Sequence, residues 1–143
     1  MPVKTVLFAC VHNAGRSQIA AALFNQLADP RKARAISAGT EPGERVHPEV
    51  VEVMREAGIE LSAARPQKLT QELASRAQVH VTMGCGDACP YVPGARVEDW
   101  PIQDPKGQSV EDVRAIRDEI RRRVMDLIGR EGVSPPDCEP AVR

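Results

Sequence analysis

The stretch from Cys10 to Ser17 places a thiol, an arginine and a hydroxyl within one short segment, Cys10-Val11-His12-Asn13-Ala14-Gly15-Arg16-Ser17. The residues before it, 4–9, are rich in strand formers, and the residues after it, 17–24, favour a helix. The segment is therefore predicted to lie at a strand-to-helix junction. Because the first N–H groups of a helix lack partners within it and carry its positive dipole end, such a junction can bind an anion.

The polar residues of this segment each have a chemical use at an anion site. Cys10 is a nucleophile only as a thiolate, and the helix N-terminus and Arg16 both favour that charged form. Arg16 can bind two oxygens of a tetrahedral oxyanion, and Gly15 lets the chain turn tightly around it. Ser17 can donate its hydroxyl to the sulfur, and Asn13 can fix the loop through its amide. The alternative is an inert cysteine that ends a core strand, but the combined pattern of strand, Cys-x5-Arg-Ser, glycine and helix favours a functional loop.

Length, charge and hydropathy restrict the class of protein. A chain of 143 residues can bury the core of one domain without a cofactor or disulfide. Its net charge of −1 gives no electrostatic reason to expect nucleic acid or a membrane as partner. No apolar run approaches the roughly 20 residues of a membrane-spanning helix, and the start leads directly into a strand. We therefore expect a cytoplasmic protein whose cysteines are kept reduced, namely Cys10, Cys85, Cys89 and Cys138.

Strands and helices alternate along the rest of the chain. Ser109 and Asp112 resemble a capping box at the start of the last helix, which is predicted to end at Gly129. The alternation predicts an α/β fold, a single domain with a mainly parallel four-stranded sheet and helices on both faces. The domain is assigned to residues 1–131, and residues 132–143 are predicted to be a disordered tail. The remaining predicted strands are 33–40, 79–83 and 96–100, and the remaining predicted helices are 48–57, 70–75 and 110–128.

A glycine-rich segment after the third strand holds two more thiols, in Met83-Gly84-Cys85-Gly86-Asp87-Ala88-Cys89-Pro90. Ligands of parallel sheets bind beyond the carboxyl ends of the strands, so Cys10 and Cys85 should emerge at the same edge. A zinc site would have to gather Cys85, Cys89, His80 and Cys138, and the sequence offers no second close pair of ligands. Unreactive loop thiols are the other alternative. A redox pair is favoured, because thiol–disulfide exchange needs a thiolate that can reach an existing disulfide.

These motifs resemble the low-molecular-weight tyrosine phosphatase superfamily, whose active-site loop is Cys-x5-Arg-Ser/Thr near the N-terminus. Within it the chain looks like an arsenate reductase of the thioredoxin-coupled type. Ordinary phosphatases of the superfamily lack the additional cysteine pair and have an aromatic wall at the pocket, whereas this chain has one Trp, one Tyr and two Phe. The similarity rests on the Cys10 loop with Ser17-Gln18-Ile19-Ala20, Ser37-Ala38-Gly39-Thr40, the Cys85/Cys89 loop, Glu98-Asp99-Trp100 and Asp104-Pro105.

The resemblance implies reduction of arsenate to arsenite, an activity associated with arsenical resistance. Cys10 would attack arsenic while Arg16 and the loop 10–17 hold the oxyanion. Asp104 would protonate the departing oxygen, although the residues alone would suit a plain turn at Asp104-Pro105. A Cys10–Cys85 disulfide would form and then move to Cys85–Cys89, where thioredoxin or an equivalent thiol donor reduces it.

Two departures from the superfamily affect these expectations. The gap between Cys85 and Cys89 is three residues, shorter than in the best-known thioredoxin-coupled members and similar to actinobacterial-type relatives, so mycothiol or glutathione/glutaredoxin coupling stays open. Ala21 stands where potassium-binding members carry an acid, and we predict no metal and no cofactor. Two alternative functions are a low-molecular-weight protein tyrosine phosphatase or aryl phosphatase, and a non-catalytic oxyanion-binding redox sensor.

Overall fold

The computed structural model describes residues 3–84, 89–90 and 92–136 of the chain. Its four strands are all parallel and lie in the order β2-β1-β3-β4. This topology confirms the predicted single-domain α/β fold. None of the helices in the described residues has both the length and the apolar character needed to span a bilayer. In chain order the elements are β1 Lys4–Cys10, α1 Arg16–Leu27, β2 Ala33–Gly39, α2 Pro48–Glu56, α3 Gln71–Ser75, β3 Val79–Thr82, β4 Arg96–Asp99 and α4 Val110–Glu131.

The two faces of β1 are buried in two separate apolar clusters. Val6 and Phe8 lie in a large cluster with residues of α1, α2 and α4. Leu7 and Ala9 lie in a smaller cluster on the opposite face, together with Ala74 of α3. Because successive side chains of a strand point to opposite faces, β1 needs a nearly continuous apolar sequence to be covered on both. Helices therefore cover both faces of the sheet, as the sequence predicted.

The strand register brings the carboxyl ends of β1 and β3 to the same edge of the sheet. Cys10, the last residue of β1, pairs with Gly39 of β2, and Ala9 pairs with Thr82 of β3. The N–H of Met83 extends the ladder by donating to the carbonyl of Ala9 at 2.8 Å. The segment after β3 thus leaves the sheet beside the segment after β1, and these two segments face one another at the site described below.

The last helix is longer than the sequence predicted. The expected stop at Gly129 is wrong, because α4 continues to Glu131 and ends at Gly132, whose φ of 69° is in the left-handed region. The N–H of Val133 then donates to the carbonyl of Ile128 at 3.2 Å, a bond typical of a glycine-terminated helix. Val133, at the start of the predicted tail, is buried. Residues 137–143 lie outside the described residues, and the boundary between domain and tail stays a prediction.

Candidate active site

The loop between β1 and α1 is held in place by the segment that follows β2. The N–H groups of Thr40, Glu41 and Gly43 donate to the carbonyls of residues 10, 11 and 12 at 3.2, 2.7 and 2.9 Å. The N–H of His47 donates to the carbonyl of Ala14 at 3.0 Å. These bonds engage the carbonyl side of the loop. Within the described part of the chain, the N–H groups of residues 11–16 have no such acceptor, so they remain available to an oxyanion.

Cys10 is a free thiol at the base of this loop, with 2% of its surface exposed. Its Sγ lies 2.8 Å from the Oγ of Ser17, and the Nδ2 of Asn13 donates to that same oxygen at 2.7 Å. Since the Ser17 oxygen already accepts a hydrogen bond from Asn13, its own proton is free for the sulfur. A sulfur that accepts such a bond is stabilised as the thiolate, the form that acts as a nucleophile.

Arg16 connects the oxyanion loop with two neighbouring segments. Its Nη1 donates to the carbonyl of Ile102 at 3.1 Å, and its Nη2 lies 3.5 Å from Oδ2 of Asp104. Gly84, the residue after Met83, lies directly against the guanidinium, since a Cβ atom at Gly84 would stand 2.6 Å from Nη1. The φ of Gly84 is +104°, a conformation that favours glycine. The chain therefore approaches Arg16 one residue before Cys85.

Asp104 and Pro105 lie at the mouth of the same loop. A Cβ atom at Gly15 would stand 2.6 Å from Cγ of Pro105, so the proline ring rests directly on the loop. The carboxyl of Asp104 accepts a hydrogen bond from the N–H of Lys106 at 3.0 Å, and the Asp104 side chain is 44% exposed beside Arg16. A carboxyl group at this position is placed to exchange a proton with an oxygen of a bound oxyanion.

The predicted redox cysteines are described only in part. Cys89 is half-buried and disulfide-bonded, and its partner is not Cys10, which is free. Cys85 and Cys138 lie outside the described residues, so the predicted approach of Cys85 to Cys10 stays a prediction. His80, a ligand in the zinc alternative, is buried and its Nε2 donates to the carbonyl of Ala74 at 2.8 Å.

Sequence reasoning gave no role to three residues that adjoin this site, namely Gln18, His47 and Gly84. A Cβ atom at Gly15 would stand 3.5 Å from Cδ2 of His47, so the imidazole lies against the loop between β1 and α1. Burial lowers the pKa of His47, and the carboxylate of Asp104 opposes that effect without reversing it. Gly84 could have been singled out in the sequence, because it is a glycine directly after the predicted strand 79–83. Nothing in the residue pattern marked His47.

The residues that the structure describes do not form a metal-binding cluster. Among them no three side chains of histidine, cysteine, aspartate or glutamate gather closely enough to hold a metal ion. Ala21, which lies in α1, offers no ligand near the loop. The chemistry supported by the described residues is that of a thiolate, an arginine, a carboxyl group and backbone N–H donors.

A buried cysteine beneath a set of free N–H donors, at the carboxyl edge of a parallel sheet, is the arrangement expected of a protein that acts on tetrahedral oxyanions. Comparison with known families agrees with this class. Residues 5–134 match the low molecular weight phosphotyrosine protein phosphatase family, and the chain belongs to that family.

Several relatives in the family carry arsenate reductase names. A Halobacterium salinarum protein provisionally named an arsenate reductase is 40% identical over 124 residues, which cover 84% of this chain and 87% of that protein. A protein of Synechocystis named glutaredoxin arsenate reductase is 34% identical over 131 residues, covering 90% of this chain and 98% of that one. The solved structure of a thioredoxin-dependent arsenate reductase from Corynebacterium glutamicum is 40% identical with a TM-score of 0.76, and the match covers 88% of this chain but 60% of that longer one.

Proposed function

We propose that this protein reduces arsenate to arsenite with the Cys10 thiolate as nucleophile and a thiol relay through Cys85 and Cys89. The observation that carries the proposal is the contact between Gly84 and Arg16, where a Cβ would lie 2.6 Å from Nη1. The segment that carries Cys85 and Cys89 starts at the oxyanion site itself. A phosphatase needs the thiolate, the arginine and the carboxyl, but it has no use for two further thiols at this place.

The first step forms a sulfur–arsenic bond. The loop N–H groups and Arg16 bind the arsenate oxygens, and the Cys10 thiolate attacks arsenic. The bond between arsenic and one of its hydroxyl groups breaks, and the proton of the Asp104 carboxyl goes to that departing hydroxyl, which leaves as water. Arsenic is still pentavalent in the resulting Cys10 adduct, and the position of Asp104 beside Arg16 supports its role as the acid.

The second step transfers two electrons to arsenic. The Cys85 thiolate attacks the sulfur of Cys10, a Cys10–Cys85 disulfide forms, and the sulfur–arsenic bond breaks with its electron pair on arsenic. Arsenite leaves, so the two thiols are oxidised and arsenic is reduced by the same two electrons. Cys89 then attacks Cys85, which restores the Cys10 thiolate and leaves a Cys85–Cys89 disulfide. The structure is consistent with that resting state, since Cys10 is free and Cys89 is disulfide-bonded.

A thiol donor must reduce the final disulfide, and we propose thioredoxin. The name of the Corynebacterium glutamicum structure supports this choice, while the name of the Synechocystis relative includes glutaredoxin. Mycothiol or glutathione/glutaredoxin coupling would use the same internal relay with a different final donor. We place the reaction in the cytoplasm, where such donors are kept reduced.

Family membership makes phosphomonoester hydrolysis the competing function. Three of the four aromatic residues of the chain lie in the core rather than at the loop. The ring of Phe8 packs against those of Phe24 and Trp100 at centroid distances of 6.0 and 5.6 Å. These rings cannot form an aromatic wall for phosphotyrosine, which favours a small, undecorated oxyanion. Tyr91 lies outside the described residues.

Arsenate-dependent oxidation of NADPH in the presence of thioredoxin and thioredoxin reductase tests the proposal. We expect turnover by the wild type and by Cys138→Ser, which serves as the matched control, and none by Cys10→Ser. Cys89→Ser should release about one arsenite per enzyme and then stop, since its disulfide cannot move to an accessible pair. Repeated turnover by Cys89→Ser with thioredoxin as the sole donor would overturn the relay. Fast hydrolysis of an aryl phosphate without any response to arsenate would establish the phosphatase instead.

A further inference from the structure

Gln18 is a buried polar residue in the first turn of α1, with 7% of its surface exposed. Its Nε2 donates to the carbonyl oxygen of Asn13 at 3.1 Å and to the Oδ1 of the same residue at 3.2 Å. A longer contact of 3.4 Å joins Nε2 to the carbonyl of Arg65. One side-chain amide thus binds both the backbone and the side chain of Asn13. Asn13 is fully buried with a φ of 51°, in the left-handed region that most residues avoid and that asparagine adopts more often than other non-glycine residues.

The donors around Asn13 fix the direction of a chain of hydrogen bonds that ends at the thiol. A backbone N–H can only donate, and that of Gln67 lies 2.9 Å from Oδ1 of Asn13. The oxygen of the Asn13 amide must therefore face Gln67 and Gln18, which leaves its NH2 group to face Ser17. Ser17 accepts that bond at 2.7 Å and has its single proton left for the sulfur of Cys10, 2.8 Å away.

We propose that Gln18 is a positioning residue for the Cys10 thiolate, acting through Asn13 and Ser17. By holding the carbonyl and the Oδ1 of Asn13 together, its amide keeps Asn13 left-handed and aims its NH2 group at Ser17. A side chain without two donors cannot do this, because the buried carbonyl of Asn13 would lose its donor and Oδ1 would keep only the N–H of Gln67. A glutamate would bring a negative charge against the same oxygens. The proposal rests on Cys10 being the nucleophile and is independent of which oxyanion is bound.

The experiment is alkylation of Cys10 by iodoacetamide in the reduced protein, followed peptide by peptide from pH 6 to pH 9. Gln18→Met removes the donors at nearly constant volume, and Gln26→Met is the matched control, since Gln26 lies on the same helix and bonds the carbonyl of Ala57 at 3.0 Å. We expect Gln18→Met to lower the alkylation rate of Cys10 at pH 7 roughly three- to tenfold, because only the thiolate reacts and one of its supporting bonds is loosened. Gln26→Met should leave the rate unchanged.

A double-mutant cycle with Ser17→Ala separates the relay from a general effect on folding. If Gln18 acts through Ser17, Gln18→Met should change the alkylation rate little in a Ser17→Ala background. Gln18→Asn, which keeps the amide but shortens its reach, serves in the same cycle if Gln18→Met does not fold. Unchanged alkylation in a folded Gln18 variant, or equal and additive effects in both backgrounds, would overturn the proposal. Because no arsenate is used, failure here is distinct from failure of the proposed reduction.

Discussion

The contact between Gly84 and Arg16 predicts that Gly84→Ala disables oxyanion binding while leaving the fold intact. The new Cβ would stand 2.6 Å from Nη1, which is 0.8 Å short of the 3.4 Å at which ordinary contacts begin. Gly84 is joined to the end of β3, whereas the guanidinium is the far end of a long side chain. Arg16 is therefore the group that moves, and it moves away from the oxyanion.

The expected cost has two separate parts. An alanine at a φ of +104° carries backbone strain of about 1–3 kcal/mol in stability. The displacement of Arg16 acts on function, since a misplacement of about 1 Å at a positioning group costs on the order of 100-fold in rate. We expect kcat/KM for arsenate to fall roughly 30- to 100-fold, which corresponds to about 2–3 kcal/mol of lost transition-state stabilisation.

Gly94→Ala is the matched control for this prediction. Gly94 has a φ of +87° and no atom within 4 Å of its Cβ position, so its substitution carries similar strain without a clash. Both variants are assayed for arsenate-dependent NADPH oxidation and for protection of Cys10 from iodoacetamide by inorganic phosphate. We expect both to lose stability and Gly84→Ala alone to lose activity and protection. The reasoning fails if Gly84→Ala retains kcat/KM within threefold of Gly94→Ala.

Two further predictions concern the carboxyl groups. Asp104→Asn should lower kcat roughly 100-fold through loss of the proton donor, with phosphate protection of Cys10 retained because Arg16 keeps its hydrogen bond to the carbonyl of Ile102; an unchanged kcat would remove Asp104 from the mechanism. Hydrogen bonds from Arg114 and then Arg117 lower the pKa of Glu56 from 4.5 to about 2 and join α2 to α4. A lowered carboxyl pKa stabilises the fold above the unfolded value and loses that effect as pH falls. The melting temperature of Glu56→Gln should therefore lie below that of wild type at pH 7, and the difference should close between pH 4.5 and 2; a constant difference would contradict this.

The local sequence was sufficient to predict the helices and strands of this fold. The β1 sequence is apolar from Val6 to Cys10 because both of its faces are buried there, and the strand therefore stands out in the residue pattern. The start of α4 was equally clear, since Ser109 accepts a hydrogen bond from the N–H of Asp112 at 3.1 Å as its type and position predict. The end of α4 was not clear from the sequence, because Gly129 and Gly132 lie within one turn of each other. Local propensity does not show which of the two adopts a positive φ.

The loop from Cys10 to Ser17 was also predictable, because its function depends on residues that are neighbours in the chain and on one helix N-terminus. Sequence alone determined that a thiol, an arginine and a set of N–H donors would meet at the end of the first strand. The tertiary structure decided which distant residues act on them. Three contacts join segments that are far apart in the chain: Gly84 lies against Arg16, Pro105 lies on Gly15, and the N–H of Gln67 donates to Asn13. Such contacts depend on strand order and crossover geometry, which no local pattern of residues contains.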